Sequence, residues 1–107
     1  VAKRHRGAAT MSESAISTTI INWVNSLPDA RARKVHQSAL AGKGEPDIDA
    51  CIAGRCVKIE TKQIAGNTPT RLQVQVLAEW RRAGAVAIWA TSLAGVKEQL
   101  AEHGIHR

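Results

Sequence analysis

Three residues whose side chains can act together on a phosphate ester, Asp47, Glu60 and Lys62, lie close together in the sequence. Residues 46–52 and 55–62 alternate between polar and apolar types around an Ala-Gly pair, which predicts a β-hairpin. Two carboxylates that face each other across paired strands lie about 5 Å apart at Cβ and repel unless a cation neutralises them. Oxygen ligands without a nearby Cys or His favour Mg²⁺, or Mn²⁺ in its place, over zinc. The pattern therefore predicts a magnesium site with an amine beside it.

The predicted hairpin also assigns its other residues to two faces. With Ala53 and Gly54 as the turn, alternation predicts a core-facing set and a polar set. The core-facing set is Ile48, Ala50, Ile52, Val57 and Ile59. The polar set pairs Asp47 with Glu60, Asp49 with Lys58, and Cys51 with Cys56. Asp49 is expected to form an ion pair with Lys58 rather than to bind metal. For Asp47, Glu60 and Lys62 the alternative is that they are ordinary exposed charges, which their order and spacing argue against.

The rest of the chain predicts the elements that position this hairpin. Apolar residues at helical spacing follow Ser12 as far as Pro28, and a Thr70-x-x-Gln73 capping box opens a second helix that Gly84 closes. The other predicted elements are a strand at about 33–38, a loop at 40–44, a buried strand at 85–90 and a last helix from Ser92 to Gly104. The order α-β-β-β-α-β-α predicts an α/β fold with a mixed sheet flanked by helices. Trp23, Trp80 and Trp89 fall on its predicted core faces.

The ordered motifs resemble one known family. They are Gly44-Glu45-Pro46-Asp47-Ile48, then Ile59-Glu60-Thr61-Lys62, then Thr70-Arg71-Leu72-Gln73, and a helix ending in Ala83-Gly84-Ala85. This set, with a Glu-x-x-Ile stretch at Glu13, resembles the VRR-Nuc branch of the PD-(D/E)XK nucleases over about residues 12–100. The resemblance implies a PD-(D/E)XK restriction-endonuclease-like core, α-β-β-β-α-β with an optional last helix. It also implies Mg²⁺-dependent hydrolysis of phosphodiester bonds.

The resemblance also assigns roles to particular residues. Asp47 and Glu60 become metal ligands together with the backbone carbonyl of Thr61. Lys62 becomes the residue that positions the attacking water and offsets charge in the transition state. The physical chemistry agrees, because a compact ammonium is a good point charge for a phosphate oxygen.

Two further residues have both a functional and a structural interpretation. Gln73 matches the glutamine of the family motif, but capping of its helix explains it equally well. Glu13 matches the family's helical acid, which reaches the metal directly or through water, but an acid at a helix N-terminus also complements the helix dipole. The sequence leaves both choices open.

Charge and composition limit the class of partner. Fifteen Lys and Arg against nine Asp and Glu give a net charge of +6, which favours a polyanion such as DNA. Lys34, His36, Lys43 and Arg71 are candidates for a phosphate track, although a solvated face is an equal alternative. No stretch has the length of a membrane span, and with two cysteines we expect a cytoplasmic protein with reduced thiols, bound to no membrane. The cysteines and C-terminal histidines are too poorly placed for a zinc site.

These observations predict one nuclease domain over residues 11–107, preceded by a basic arm or leader at residues 1–10. The expected activity is that of a DNA endonuclease. By analogy with small junction-resolving nucleases, we expect a homodimer acting on branched DNA such as a four-way (Holliday) junction. Two alternatives remain: a module of the same fold that binds nucleic acid without cutting it, and a nuclease acting on RNA.

Overall fold

A computed structural model of the chain describes residues 11–36, 42–64 and 66–107. The predicted arm at 1–10 and the far end of the predicted first strand lie outside these residues. The described elements are α1 (Glu13–Ser26), β1 (Ala30–Lys34), β2 (Ile48–Ile52), β3 (Arg55–Thr61), α2 (Arg71–Arg82), β4 (Val86–Ala90) and α3 (Leu93–Glu102). Their order confirms the predicted α-β-β-β-α-β-α sequence.

The four strands form one mixed sheet in the order β1-β2-β3-β4. The first two neighbouring pairs are antiparallel and β3 pairs with β4 in parallel. A parallel pair needs a long crossover connection, which α2 supplies. None of the described helices has the length and hydropathy needed to cross a bilayer.

The β2–β3 hairpin has the predicted register. Its pairs include Cys51 with Cys56 and Asp49 with Lys58. Ala53 and Gly54 have φ angles of 49° and 84°, the left-handed pair that a two-residue hairpin turn of this hand requires. The ladder ends at Ile48 and Ile59, one pair before the predicted opposition of Asp47 and Glu60. Asp47 therefore directly precedes β2 instead of lying within it.

The first strand begins earlier than predicted, at Ala30 instead of about Arg33. Asp29 has a φ of 57°, so the chain turns sharply just after Pro28 and the strand starts at once. The side-chain amide of Asn25 then holds both backbone groups of Ala32, accepting from its N–H at 2.8 Å and donating to its carbonyl at 3.1 Å. These bonds come from α1, so they depend on tertiary packing.

Helices cover both faces of the sheet. α1 and α3 pack on the face that carries the main core, and α2 packs on the other. The main core consists chiefly of Ile16, Ile20, Val24, Ile48, Ile52, Val57, Ile59, Val86, Ile88, Val96 and Leu100. Val76 and Leu77 of α2 are buried against the opposite face. The polar residues Lys58 and Glu60 of β3 are consequently covered by α2 instead of facing water.

Candidate active site

Glu60 is the most unusual side chain of the sheet, because it is a carboxylate that is only 2% exposed. Its Oε2 accepts a hydrogen bond from Gln73 Nε2 at 3.0 Å and lies 3.5 Å from Lys62 Nζ. Its Oε1 is buried without a hydrogen-bond partner. A buried carboxylate oxygen without a partner is costly, so this atom needs either a proton or a cation.

The surroundings of Glu60 change its acidity. Burial is the largest cause, and together with the negative charges of Asp47 and Glu13 it raises the pKa of Glu60 from 4.5 to about 7. The charge and hydrogen bond of Lys62 act in the opposite direction but do not compensate for the loss of water. Three acids from distant parts of the sequence, Glu13, Asp47 and Glu60, therefore lie close enough to interact electrostatically.

Asp47 is held by Thr61, the residue between Glu60 and Lys62. Asp47 Oδ2 accepts from the Thr61 amide and from Thr61 Oγ1, both at 2.9 Å. Asp47 Oδ1 has no hydrogen bond to any residue of the described part of the chain. Asp47 and Glu60 therefore each have one carboxylate oxygen that is hydrogen-bonded within the described residues and one that is not.

Lys62 follows β3 directly and is only 9% exposed. Its amide donates to the carbonyl of Ala90 at 3.0 Å, which continues the alignment of β3 beside β4 for one more residue. The ammonium thereby lies beside Glu60, 3.5 Å from Oε2, the oxygen that also accepts from Gln73. The three residues predicted from the hairpin thus come together at one end of β3.

Gln73 forms the predicted cap and also contacts Glu60, while its catalytic role stays a prediction. Its Oε1 accepts from the Thr70 amide at 2.8 Å and its own amide donates to Thr70 Oγ1, which completes the predicted capping box. Its Nε2 is then directed at Glu60. The cap therefore orients the amide that holds one Glu60 oxygen.

Replacement of Gln73 by alanine should show both effects. Loss of the bond from the Thr70 amide to Gln73 Oε1 should reduce the free energy of unfolding by about 1 kcal/mol, while Thr70 Oγ1 still caps the helix. Loss of a hydrogen bond to the charged carboxylate should raise the pKa of Glu60 further. Urea unfolding and NMR titration of the Glu60 carboxyl would measure these changes. Gln75→Ala, an exposed site on the same helix, is the control, and equal behaviour of the two variants would contradict the prediction.

The donor set fits a divalent cation of the magnesium type. A metal would be held by Asp47 Oδ1 and Glu60 Oε1, both hard oxygens, with the predicted Thr61 carbonyl as a third ligand. Among the residues that the structure describes, no group of three or more His, Cys, Asp or Glu side chains is arranged to hold a metal ion. The negative charge of Glu13 contributes to the raised pKa of Glu60, and its predicted role at the metal, direct or through water, stays a prediction.

The four residues of the predicted phosphate track differ in their surroundings. His36, Lys43 and Arg71 are exposed and form no ion pair with the described residues, so their role stays a prediction. Lys34 instead points to α1, where its Nζ donates to Ser17 Oγ at 3.3 Å.

The predicted pairing of Asp49 with Lys58 is confirmed at 2.6 Å. Lys58 Nζ also lies 3.9 Å from the centre of the Trp80 ring, which places this lysine between a carboxylate and an aromatic face. A cation with two such neighbours is tied to the protein, so Lys58 and Asp49 form a structural pair beside the site.

Ser17 is a site residue that the sequence analysis missed. It is 1% exposed, and its hydroxyl contacts Thr61 Oγ1 at 2.8 Å. A signal was present, because Ser17 shares the buried stripe of α1 with Ile20 and Val24. A hydroxyl on a buried stripe must find a hydrogen-bond partner, and here that partner is part of the site.

Comparisons with known proteins define the class of fold. No profile of a known protein family matches the sequence, and no curated protein does either. A solved structure described as "VRR_NUC domain" is similar with a TM-score of 0.71 and 21% identity, over 87% of this chain and 97% of that chain. A second, described as "VRR_NUC domain protein", has a TM-score of 0.69 and 20% identity, over 86% and 87%.

These likenesses show the class of the fold, which is mixed α/β. More particularly, the fold is that of the VRR_NUC domain, as the resemblance in the motifs predicted. At this identity a shared fold does not establish a shared activity, which depends on the residues of the site.

Proposed function

We propose that this chain is a metal-dependent nuclease that hydrolyses phosphodiester bonds of DNA. The observation that carries the proposal is the buried, unpartnered Oε1 of Glu60. Asp47 lies close enough to raise the pKa of Glu60, and the Lys62 ammonium lies 3.5 Å from the other carboxylate oxygen, Oε2. A purely structural carboxylate would have both oxygens satisfied. The net charge of +6 supports an anionic polymer as substrate.

Each residue of the site has a distinct task in this reaction. Asp47 and Glu60 would hold Mg²⁺ through their free oxygens, and Gln73 keeps Glu60 in the required orientation. When bound, the cation lowers the pKa of water and offsets charge on the phosphoryl oxygen. Lys62 donates to a phosphate oxygen or to the attacking water and stabilises negative charge as it develops.

The finer substrate assignment is part of the same proposal. Branched DNA, in particular a four-way junction, is the proposed substrate, and a homodimer would present two equivalent sites to a junction of matching symmetry. A domain of this size has limited surface for one duplex, which a second subunit would extend. Sedimentation of the whole chain with and without a junction would measure this assembly.

A cleavage panel tests the function directly. The intact chain is incubated with a junction, a flap, a duplex and a single strand, each in DNA and RNA of identical sequence, with Mg²⁺ or Mn²⁺. We expect DNA cleavage that Asp47→Asn reduces by about 10²-fold to 10³-fold, the cost of losing a charge-stabilising group. Binding of DNA without any cutting above the Asp47→Asn level would identify a non-catalytic module instead. Preferential cutting of RNA would refute the substrate assignment.

A further inference from the structure

A chain of hydrogen bonds runs from the edge of the sheet to Asp47. Lys34 Nζ of β1 lies 3.3 Å from Ser17 Oγ of α1. Ser17 Oγ lies 2.8 Å from Thr61 Oγ1 at the end of β3. Thr61 Oγ1 lies 2.9 Å from Asp47 Oδ2. The four residues come from four different segments, so only the folded chain assembles them.

The two ends of this chain determine the direction of every proton in it. Asp47 Oδ2 accepts from both the Thr61 amide and the Thr61 hydroxyl. The single proton of Thr61 is thereby used, and Thr61 Oγ1 must accept from Ser17. The proton of Ser17 is used in turn, so its oxygen accepts from Lys34, whose ammonium can only donate. All donors therefore point toward Asp47.

Burial makes this arrangement rigid. Ser17 is 1% exposed and Thr61 is 0% exposed, so neither hydroxyl can exchange its partner for bulk water. Rotation of either hydroxyl would leave a buried polar atom without a partner, which is costly. The series of hydrogen bonds consequently fixes Asp47 Oδ2 and leaves Oδ1 as the oxygen that is available beside Glu60.

We propose that Ser17 is a positioning residue for the metal site. Ser17 acts through Thr61 on Asp47, and Lys34 is the cation at the far end of these hydrogen bonds. The inference rests on the proposed function, because it concerns the orientation of a proposed metal ligand. It also assigns Lys34 to the support of Asp47 instead of to the phosphate track. A hydroxyl that served only to fasten α1 to the sheet would affect stability and leave metal affinity unchanged.

Titration of Mn²⁺ into the whole chain by calorimetry tests the proposal without reference to DNA. Ser17→Ala and Thr61→Val each remove one hydroxyl with little change in volume. We expect each to weaken Mn²⁺ binding about tenfold, the usual effect of removing a group that orients a metal ligand. Thr18→Val is the matched control, because its exposed hydroxyl bonds only to the carbonyl of Ser14. It should stay within about twofold of the parent chain.

The double variant of Ser17→Ala and Thr61→Val tests whether the effect passes along the hydrogen bonds. If Ser17 acts through Thr61, Ser17→Ala should add little to the loss already caused by Thr61→Val. Lys34→Met should weaken Mn²⁺ binding in the parent and have no further effect after Ser17→Ala. Circular dichroism at the titration temperature checks that each variant is folded.

The outcomes separate this inference from the proposed nuclease activity. Unchanged Mn²⁺ affinity in folded Ser17→Ala and Thr61→Val, or full additivity in the double variant, would overturn the positioning role and leave a nuclease intact. Mn²⁺ binding that is weakened in both variants, with non-additive losses, supports the positioning role. This holds even if the parent protein cuts no DNA in the cleavage panel, because the absence of cleavage would contradict only the proposed nuclease activity.

Discussion

Lys62→Ala is expected to reduce the single-turnover rate of DNA cleavage by about 10³-fold while the chain stays folded. Lys62 is the ammonium nearest to Glu60, at 3.5 Å, and it is only 9% exposed. In so dry a site an ammonium interacts strongly with a phosphate oxygen, and water replaces it poorly. Its loss also removes the one charge that lowers the pKa of Glu60, so metal binding should weaken near neutral pH.

Two further variants make this experiment specific. Lys97→Ala removes a lysine of α3 whose ammonium lies over the Trp23 ring at 5.2 Å, far along the chain from the site, and should cut DNA at the parent rate. Lys62→Arg keeps the charge but replaces a compact ammonium by a planar, larger group, so it should recover only part of the rate. A rate for Lys62→Ala within about threefold of that of Lys97→Ala would refute the assigned role of Lys62.

Glu60→Gln is expected to make the metal-free protein more stable at pH 8 and to abolish its stabilisation by Mn²⁺. The folded-state pKa of Glu60, about 7, lies above its ordinary value of 4.5. Below the ordinary value both folded and unfolded chains carry the proton, and between the two values only the folded chain does. Stability from this group is therefore complete at low pH and declines as pH rises through 7.

The size of this effect follows from the same values. This shift in the pKa of Glu60 corresponds to at most roughly 3 kcal/mol of unfavourable free energy at pH 8, because screening by solvent reduces the cost of the charge. Glu60→Gln should recover about 2 kcal/mol of it, or roughly 10 °C in Tm for a domain of this size. The difference should vanish at pH 4, where Glu60 carries its proton in the folded chain.

Thermal melts at both pH values, with and without Mn²⁺, measure the two parts of this prediction. Glu98→Gln, at an exposed position of α3, is the matched control and should show neither effect. A lower Tm for Glu60→Gln than for the parent at pH 8 would mean that the charged carboxylate is stabilised without metal. That result would remove the main reason for assigning a cation to this site.

Local sequence rules determined the hairpin and the helix ends. The positive φ angles of Ala53 and Gly54 set the turn, and alternation then fixed the register that brings Asp49 to Lys58. The Thr70 and Gln73 cap was equally local, since both partners lie within one helical turn. Such features depend on contacts a few residues apart, so they can be predicted without knowledge of the fold.

Tertiary packing decided what this local structure becomes. The 3.6-residue period showed that α2 has an apolar side, but only its placement against β3 buries Glu60 and raises its pKa. The contact of Ser17 with Thr61 joins residues 44 positions apart in the sequence. The sequence alone determined which side chains share a strand face and where the helices are capped. The dielectric around Glu60 and the hydrogen bonds that orient Asp47 depend on which elements pack together, so only the tertiary structure decided them.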